Sequence, residues 1–319
     1  MSVQTKSAAV EVVHARYKKH RHSYMNRTTT GEKVFSVFNY MVLAVLGIVT
    51  LFPFYIVIMK SFAPPEDFIN KTIIWWPSKF ELTYYKFILG TKSDFMMALK
   101  NSVFLVTVGT ATNVVATFVA ACVLAQKKLP FRNQITFIMV FTMFFGGGMI
   151  PGFILMKTIH LTNSLSGLII SGLLSTMYVL YLRNFIMTIP TDLIESAEID
   201  GCPEYKIIYK IIFPLSLPAL ATFTLFYAVG QWNQFTGAIL YISDNSKLPL
   251  QVYIQRLVAS LTIQGDADEL RKLMESGYKA PADALKATAI ICSTIPIVMV
   301  YPFLQKYFVK GMMMGSLKG

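Results

Sequence analysis

Residues 189–218 read IPTDLIESAEIDGCPEYKIIYKIIFPLSLP. Five carboxylates (Asp192, Glu195, Glu198, Asp200 and Glu204) fall within thirteen residues of this stretch, in a chain of net charge +12 that is 54% hydrophobic and 14% charged. Apolar runs long enough to cross a bilayer flank it on both sides. Pro190 sets up a helix start and Thr191 can cap it. Asp192 and Glu195 then occupy early turns, where the helix dipole favours negative charge. Gly201 suits the left-handed conformation that ends a helix, and Pro203 suits the first turn of the next. Ile207, Ile208, Ile211 and Ile212 give that second helix an apolar stripe. The stretch therefore predicts two short helices at about a right angle, one acidic and exposed, one packed on a bundle, with Pro214 closing the unit before the next apolar run.

The surrounding sequence sets the class. A soluble domain carries nearer a quarter charged residues, so 14% points to a membrane protein. Six segments reach bilayer length: 37–59, 99–125, 135–156, 164–186, 213–242 and 287–307. The third is interrupted by Gly146-Gly147-Gly148 and Pro151, and the fifth is broken early by Pro218. Pro296 and Pro302 fall in the sixth. The expected fold is all-α, with six transmembrane helices and a helix-turn-helix on one side. The expected organisation is a basic arm over 1–36, a permeating domain over 37–310 and a tail over 311–319. Six spans put both termini on one side. That side carries 16 Lys and Arg, including three in QKKLPFRNQ with no acid, against 13 on the other. The excess places both termini and the acidic stretch in the cytoplasm. The first 36 residues show no signal-peptide pattern.

The charge sign of the stretch argues about its partner. A helix lying on an anionic leaflet should be basic. This one is acidic, so lipid headgroups repel it and a basic protein groove suits it. An interfacial hairpin without a partner is the alternative reading. The basic surplus of the chain lies at the N-terminus and in short breaks between apolar runs, so nucleic acid is not an expected partner.

These residues carry a family resemblance. Glu195-Ser196-Ala197, three residues, Gly201, nine residues, Ile211, one residue, Phe213-Pro214 resembles the cytoplasmic Glu-Ala-Ala…Gly…Ile-x-Leu-Pro motif of ABC importer permeases. Ser196 replaces the middle alanine and Phe213 the leucine. NSVFLVTVGTATNVVATFVAACVLA, GGGMIPGFILMKTIHLTNSLSGLII, LPLQVYIQ and YPFLQKYFVKGMMMGSLKG resemble the carbohydrate branch, within it the maltose-permease-like second subunit with a MetI-like transmembrane domain. The long outer loop before YPFLQKYF resembles the subgroup that moves complex oligosaccharides of the alginate or aldouronate type.

The resemblance implies a mechanism and partners. The helix over Glu195–Gly201 would be a coupling helix seated in a cleft of an ATP-hydrolysing subunit, with Glu195, Ser196, Ala197, Asp200, Gly201 and Pro214 as its motif positions. Glu195 would meet a basic residue, Ala197 would permit close approach, and Gly201 would allow the turn. The tail, through Gly311, Gly315 and Lys318, would reach the interface between ATPases. The partners would be a second homologous permease, two ATPase subunits, an extracytoplasmic sugar-binding protein and the lipid bilayer of a bacterial plasma membrane.

The chain itself lacks a Gly-x-x-x-x-Gly-Lys-Ser/Thr phosphate loop. No cofactor is expected on it, and ATP and Mg would sit on the partner ATPase. His14, His20, His22 and His160 form no ligand pattern, and Cys122, Cys202 and Cys292 show no paired spacing. No metal site, catalytic residue or enzymatic activity is expected. Two readings fit the polar run of the fifth span, Tyr227, Gln231, Trp232, Asn233 and Gln234. Amides beside aromatic faces suit a sugar, and they also suit contacts between helices and an interfacial belt, the reading slightly favoured for any one residue. The expected function is oligosaccharide import by alternating access. An importer of another solute and a six-span channel are the alternatives.

Overall fold

The computed structural model describes residues 30–90, 93–262 and 282–316. His14, His20, His22, residues 263–281 of the long outer loop and Lys318 lie outside the described residues. Every regular element among the described residues is helical. The chain divides into two units at Ile56–Val57. The first consists of most of helix α1 (Thr30–Phe62), which is long and apolar enough to cross a membrane and exposes its side chains from Val34 to Tyr55.

The second unit opens with two short helices, α2 (Pro65–Asn70) and α3 (Thr83–Ile88). Helix α4 (Asp94–Ala125) is followed by two bent pairs, α5 (Arg132–Phe144) with α6 (Met149–Thr158), and α7 (Leu165–Ser171) with α8 (Thr176–Ile186). The acidic α9 (Thr191–Ile199) precedes the long α10 (Glu204–Trp232). The chain then forms α11 (Thr236–Tyr241), α12 (Leu250–Thr262) and α13 (Ala282–Ser316).

Helices α1, α4, α10 and α13 are each long and apolar enough to span a membrane, and the bent pairs bring the count to six if each pair is one span. End contacts make each pair one crossing. Loop 126–131 lies beside the acidic hairpin, through Lys128 and Glu198, 3.3 Å apart. After α6 the chain reaches the opposite end, where Asn163 N donates to Tyr241 O at 2.7 Å and Asn101 Nδ2 donates to Leu248 O at 3.1 Å. Helix α8 returns, and Ile186 and Ile189 join the cluster that holds Ile207 at the hairpin end.

The first pair, α5 with α6, bends by 116° at Phe145–Gly148, where Gly148 takes φ +85. Pro151 does not interrupt it, contrary to the sequence expectation. It lies in the first turn of α6, where a missing N–H costs no helical bond.

Two further corrections concern the fifth span. Helix α10 passes through Pro214 and Pro218 without breaking, so the second helix of the hairpin is not a separate short element. The span also ends at Trp232, with a turn at 233–235 before α11. A π segment over Ile208–Ile212 absorbs the discontinuity just ahead of Pro214, where the ring would otherwise press on the preceding turn. Buried positions show the same re-phasing: Ile207 and Ile212 are five apart, and Ser216, Leu220, Phe223, Tyr227 and Gln231 follow at three or four. Helix α4 repeats the device. Its π segment Leu105–Gly109 sets five residues between buried Leu105 and Thr110, and Asn113, Thr117 and Ala121 follow at helical spacing.

The bend of 56° between α7 and α8 would leave backbone groups unpaired inside the bundle. Neighbouring spans satisfy two of them. Asn113 Nδ2 donates to Gly172 O at 3.3 Å, and Ser175 N donates to Tyr227 Oη at 3.2 Å. Tyr227 Oη also meets Thr117 Oγ1 at 2.7 Å.

Candidate functional site

Helix α9 buries none of its residues fully. Its inner positions, Ile194 and Ala197, are half-buried against the cluster of Leu182, Ile186, Ile189 and Ile207. Helical spacing then turns Asp192, Glu195, Ser196 and Ile199 outward on one stripe. All four are exposed, Ile199 to 86%. Ile199 was not singled out from the sequence, although its position four residues after Glu195 places it on the same face. Thr191 does not cap the helix. Pro190 holds the N-cap position without a side-chain bond, and Thr191 is the first helical residue.

The C-terminal end is closed as Gly201 predicts. Gly201 has φ +73, its N–H reaches Glu198 O at 3.0 Å, and the Cys202 N–H reaches Ala197 O at 2.9 Å. This pair of bonds is the Schellman closure, which needs a left-handed residue where glycine carries no Cβ penalty. Pro203 then caps α10, and Glu204 lies in its first turn. Asp200 and Pro214 are exposed.

Loop 126–131 braces the hairpin. Lys128 Nζ pairs with Glu198 Oε2, and Gln126 Nε2 donates to Glu204 Oε1. The Ser196 hydroxyl donates to Asp192 O at 2.6 Å, so its extra polar atom is satisfied within the helix. Asp192, Glu195 and Asp200 meet no cation among the described residues. The result is an outward surface with three uncompensated carboxylates around one exposed isoleucine, held on a braced hairpin.

The polar run of the fifth span does not form one surface. Tyr227, Gln231 and Trp232 are buried in the chain's own packing. Tyr227 serves the α7–α8 break and stands edge-on to Tyr178 at 5.0 Å. Gln231 lies against Gly109, where an added Cβ would come within 3.0 Å of its amide. Trp232 belongs to a cluster with Phe95, Leu250 and Leu285. Asn233 is exposed at the C-cap of α10, and Gln234 is half-buried beside Gly237. Gly311 and Gly315 fall on α13, which runs through Pro296 and Pro302 to Ser316.

The break at Gly146–Gly148 differs from the one at Gly172–Ser175. All three glycines are exposed, and a Cβ added at Gly146 or Gly148 would meet no atom within 4 Å. The aromatic ladder leading to it, Phe137, Phe141 and Phe145, is exposed too, with Phe141 and Phe145 stacked at 4.4 Å. Among the described residues no group of His, Cys, Asp and Glu could hold a metal ion, and the cysteines are free.

Comparison with known proteins agrees with this architecture. The profile of the family described as "Binding-protein-dependent transport system inner membrane component" matches residues 23–314. The polygalacturonan/rhamnogalacturonan transport system permease protein YtcP of Bacillus subtilis (strain 168) is 40% identical over 90% of this chain and 99% of its own length. Protein LplC of the same organism is 37% identical over 92% of this chain and 98% of its own. A solved bacterial ABC transporter involved in the import of the acidic polysaccharide alginate contains a chain of 26% identity and TM-score 0.80, covering 88% of this chain and 99% of that one. The chain is therefore a multi-pass membrane protein of the binding-protein-dependent transport system inner-membrane component family, the permease family of ABC importers.

Proposed function

We propose that this chain is one permease subunit of an importer of acidic oligosaccharides, and that α9 couples it to a separate ATP-hydrolysing subunit. Glu195 is the outward carboxylate that meets a basic cleft, with Asp192 and Asp200 beside it and Ile199 filling an apolar dent. Ala197 and Gly201 hold the hairpin close to its base. Both termini and the hairpin lie on the cytoplasmic side, where the basic loop QKKLPFRNQ also lies. A second homologous permease, two ATPase subunits carrying ATP and Mg, and an extracytoplasmic sugar-binding protein complete the machine. Closure of the ATPases draws the hairpins together and biases a two-state bundle between inward and outward openings.

The observation that carries this reading is the split among the hairpin carboxylates. Glu198 is paired with Lys128 and Glu204 accepts a hydrogen bond from Gln126 of the chain's own loop, whereas Asp192, Glu195 and Asp200 face outward with no described cation near them. The substrate class is supported by the relatives' names, which specify polymers of acidic sugars. The open break at Gly146–Gly148 supports a place on the translocation path, because irregular backbone at membrane depth is tolerated where it borders water or protein. The tail positions Gly311, Gly315 and Lys318 extend the same contact to the ATPases.

The test is Glu195→Ala and Gly201→Asp in the assembled transporter. Both should abolish substrate-stimulated ATP hydrolysis and uptake while basal folding persists. Full stimulation in both variants would remove the coupling role.

A further inference from the structure

Two cations, Arg132 and Arg183, lie on adjacent helices at the hairpin end of the bundle. Arg183 lies in the last turn of α8, and Arg132 opens α5, which packs beside α8. The Arg132 guanidinium is the charged neighbour acting on Arg183. Both side chains are half-buried, and Arg183 Nε is buried without any hydrogen-bond partner. Among the described residues no carboxylate pairs with either arginine; of the hairpin acids, Glu198 is paired with Lys128 and Glu204 is hydrogen-bonded by Gln126.

Such an arrangement is unfavourable as it stands. Like charges that are partly withdrawn from water repel, and a guanidinium whose donors are buried loses the hydrogen bonds water supplied. An anion with several acceptor oxygens would relieve both terms at once, and guanidinium pairs match phosphate oxygens in a fork geometry. The local backbone adds to this. Phe131, just before Arg132, holds φ 55, a conformation a bulky side chain rarely adopts, and its ring is 73% exposed. That conformation turns the chain so that α5 starts at Arg132 with its first-turn N–H groups uncapped by any side chain.

The depth decides which anion. Arg132 and Arg183 sit at the first and last turns of membrane-crossing segments, which is the level of lipid headgroups. An exposed phenylalanine at the same level suits burial among acyl chains next to that headgroup. We propose that Arg132 and Arg183 together bind the phosphate of one anionic phospholipid at the hairpin side of the membrane, with Phe131 against its acyl chains. The bound lipid offsets half of the pair's charge, lessens its repulsion and ties α5 to α8 beside the loop that braces α9. The assignment depends on the chain crossing the membrane and not on what α9 docks to.

The test uses the assembled transporter in nanodiscs of phosphatidylcholine doped with phosphatidylglycerol, with lipids retained after release counted by native mass spectrometry. The parent should retain phosphatidylglycerol, and added inorganic phosphate should not displace it. Arg132→Gln with Arg183→Gln should weaken retention by about ten-fold or more, the scale of one or two lost charge-assisted hydrogen bonds. Arg132→Lys with Arg183→Lys should restore a large part of it, and Lys100→Gln at the opposite end should change nothing. Equal retention in the glutamine variant would overturn the site, as would equal retention of phosphatidylcholine by the parent. Loss of an ATPase subunit with the lipid count unchanged would reassign the pair to a protein contact and overturn it too. If the glutamine variant fails to assemble, the parent's choice between the two lipids and the lysine variant still decide. Failure of coupling at Glu195 would leave this lipid count unaffected, so the two claims fail separately.

Discussion

Lys128 Nζ lies 3.3 Å from Glu198 Oε2, and this contact separates Glu198 from the hairpin carboxylates that meet no cation among the described residues. The pair is largely exposed, so its worth is small and its role is to fix the loop's position. Glu198→Gln should therefore cost less than about 1 kcal/mol of stability, the range of exposed ion pairs. Thermal unfolding of the assembled transporter measures this. Substrate-stimulated ATP hydrolysis in the same sample should stay near the parent value, in contrast to Glu195→Ala.

Gly201 separates conformation from contact. Its φ is +73 and nothing lies within 4 Å of an added Cβ, so Gly201→Ala meets no clash and carries only the left-handed penalty. That penalty is about 1 kcal/mol, and asparagine, which tolerates the conformation better, should recover part of it. Melting temperatures should rank glycine, asparagine, alanine.

Tyr227 is read from its partners as a structural residue. Its hydroxyl meets Thr117 Oγ1 and accepts from Ser175 N at the α7–α8 break. Tyr227→Phe leaves the partly buried Ser175 N–H and the buried Thr117 hydroxyl without this partner and should destabilise by about 1–3 kcal/mol. The KM for uptake should not change. A raised KM with unchanged stability would instead return Tyr227 to the sugar path.

Gly167→Ala should be among the most damaging single changes. A Cβ there would fall 1.9 Å from Leu161 O, a backbone atom that cannot swing away. The variant should fail to accumulate in membranes, measured by quantitative immunoblotting against the parent.

Acid should weaken the outer loop through Asp67. Burial opposes the charge of this carboxylate, but Lys71 Nζ at 2.8 Å and the Ser78 N–H at 2.7 Å outweigh it and hold its pKa below the usual 3.8. A depressed folded pKa means the stabilisation is present above 3.8 and is lost as pH falls through the lower, folded value. Asp67→Asn should lower the melting temperature at pH 7. The gap to the parent should shrink as the pH drops below 3.8.

The sequence revealed the hairpin because its signals are residue types: a proline, a run of acids, and a glycine at the left-handed position. It also revealed six spans from apolar length alone. The unbroken α10 was not legible. Prolines mark possible breaks, and only the buried face from Ile207 to Gln231 shows that a π segment had already absorbed the one at Pro214. The polar run after Tyr227 was ambiguous for the same reason. A buried hydroxyl serving Ser175 N and a hydroxyl facing sugar have the same sequence, and only the course of α7 and α8 separates them. Ile199 carries no charge signal in the sequence, although helical spacing puts it on the same face as Asp192 and Glu195.

The central claim is that the outward stripe of α9 sits in an ATPase cleft. Photo-crosslinking groups placed singly at Glu195, at Ile199 and, as the opposite-end control, at Asp94 test it most directly in the membrane-embedded transporter. Adducts to the ATPase subunit from positions 195 and 199 and none from 94 are the predicted result. Absence of ATPase adducts at both hairpin positions, or their appearance at position 94, would contradict it.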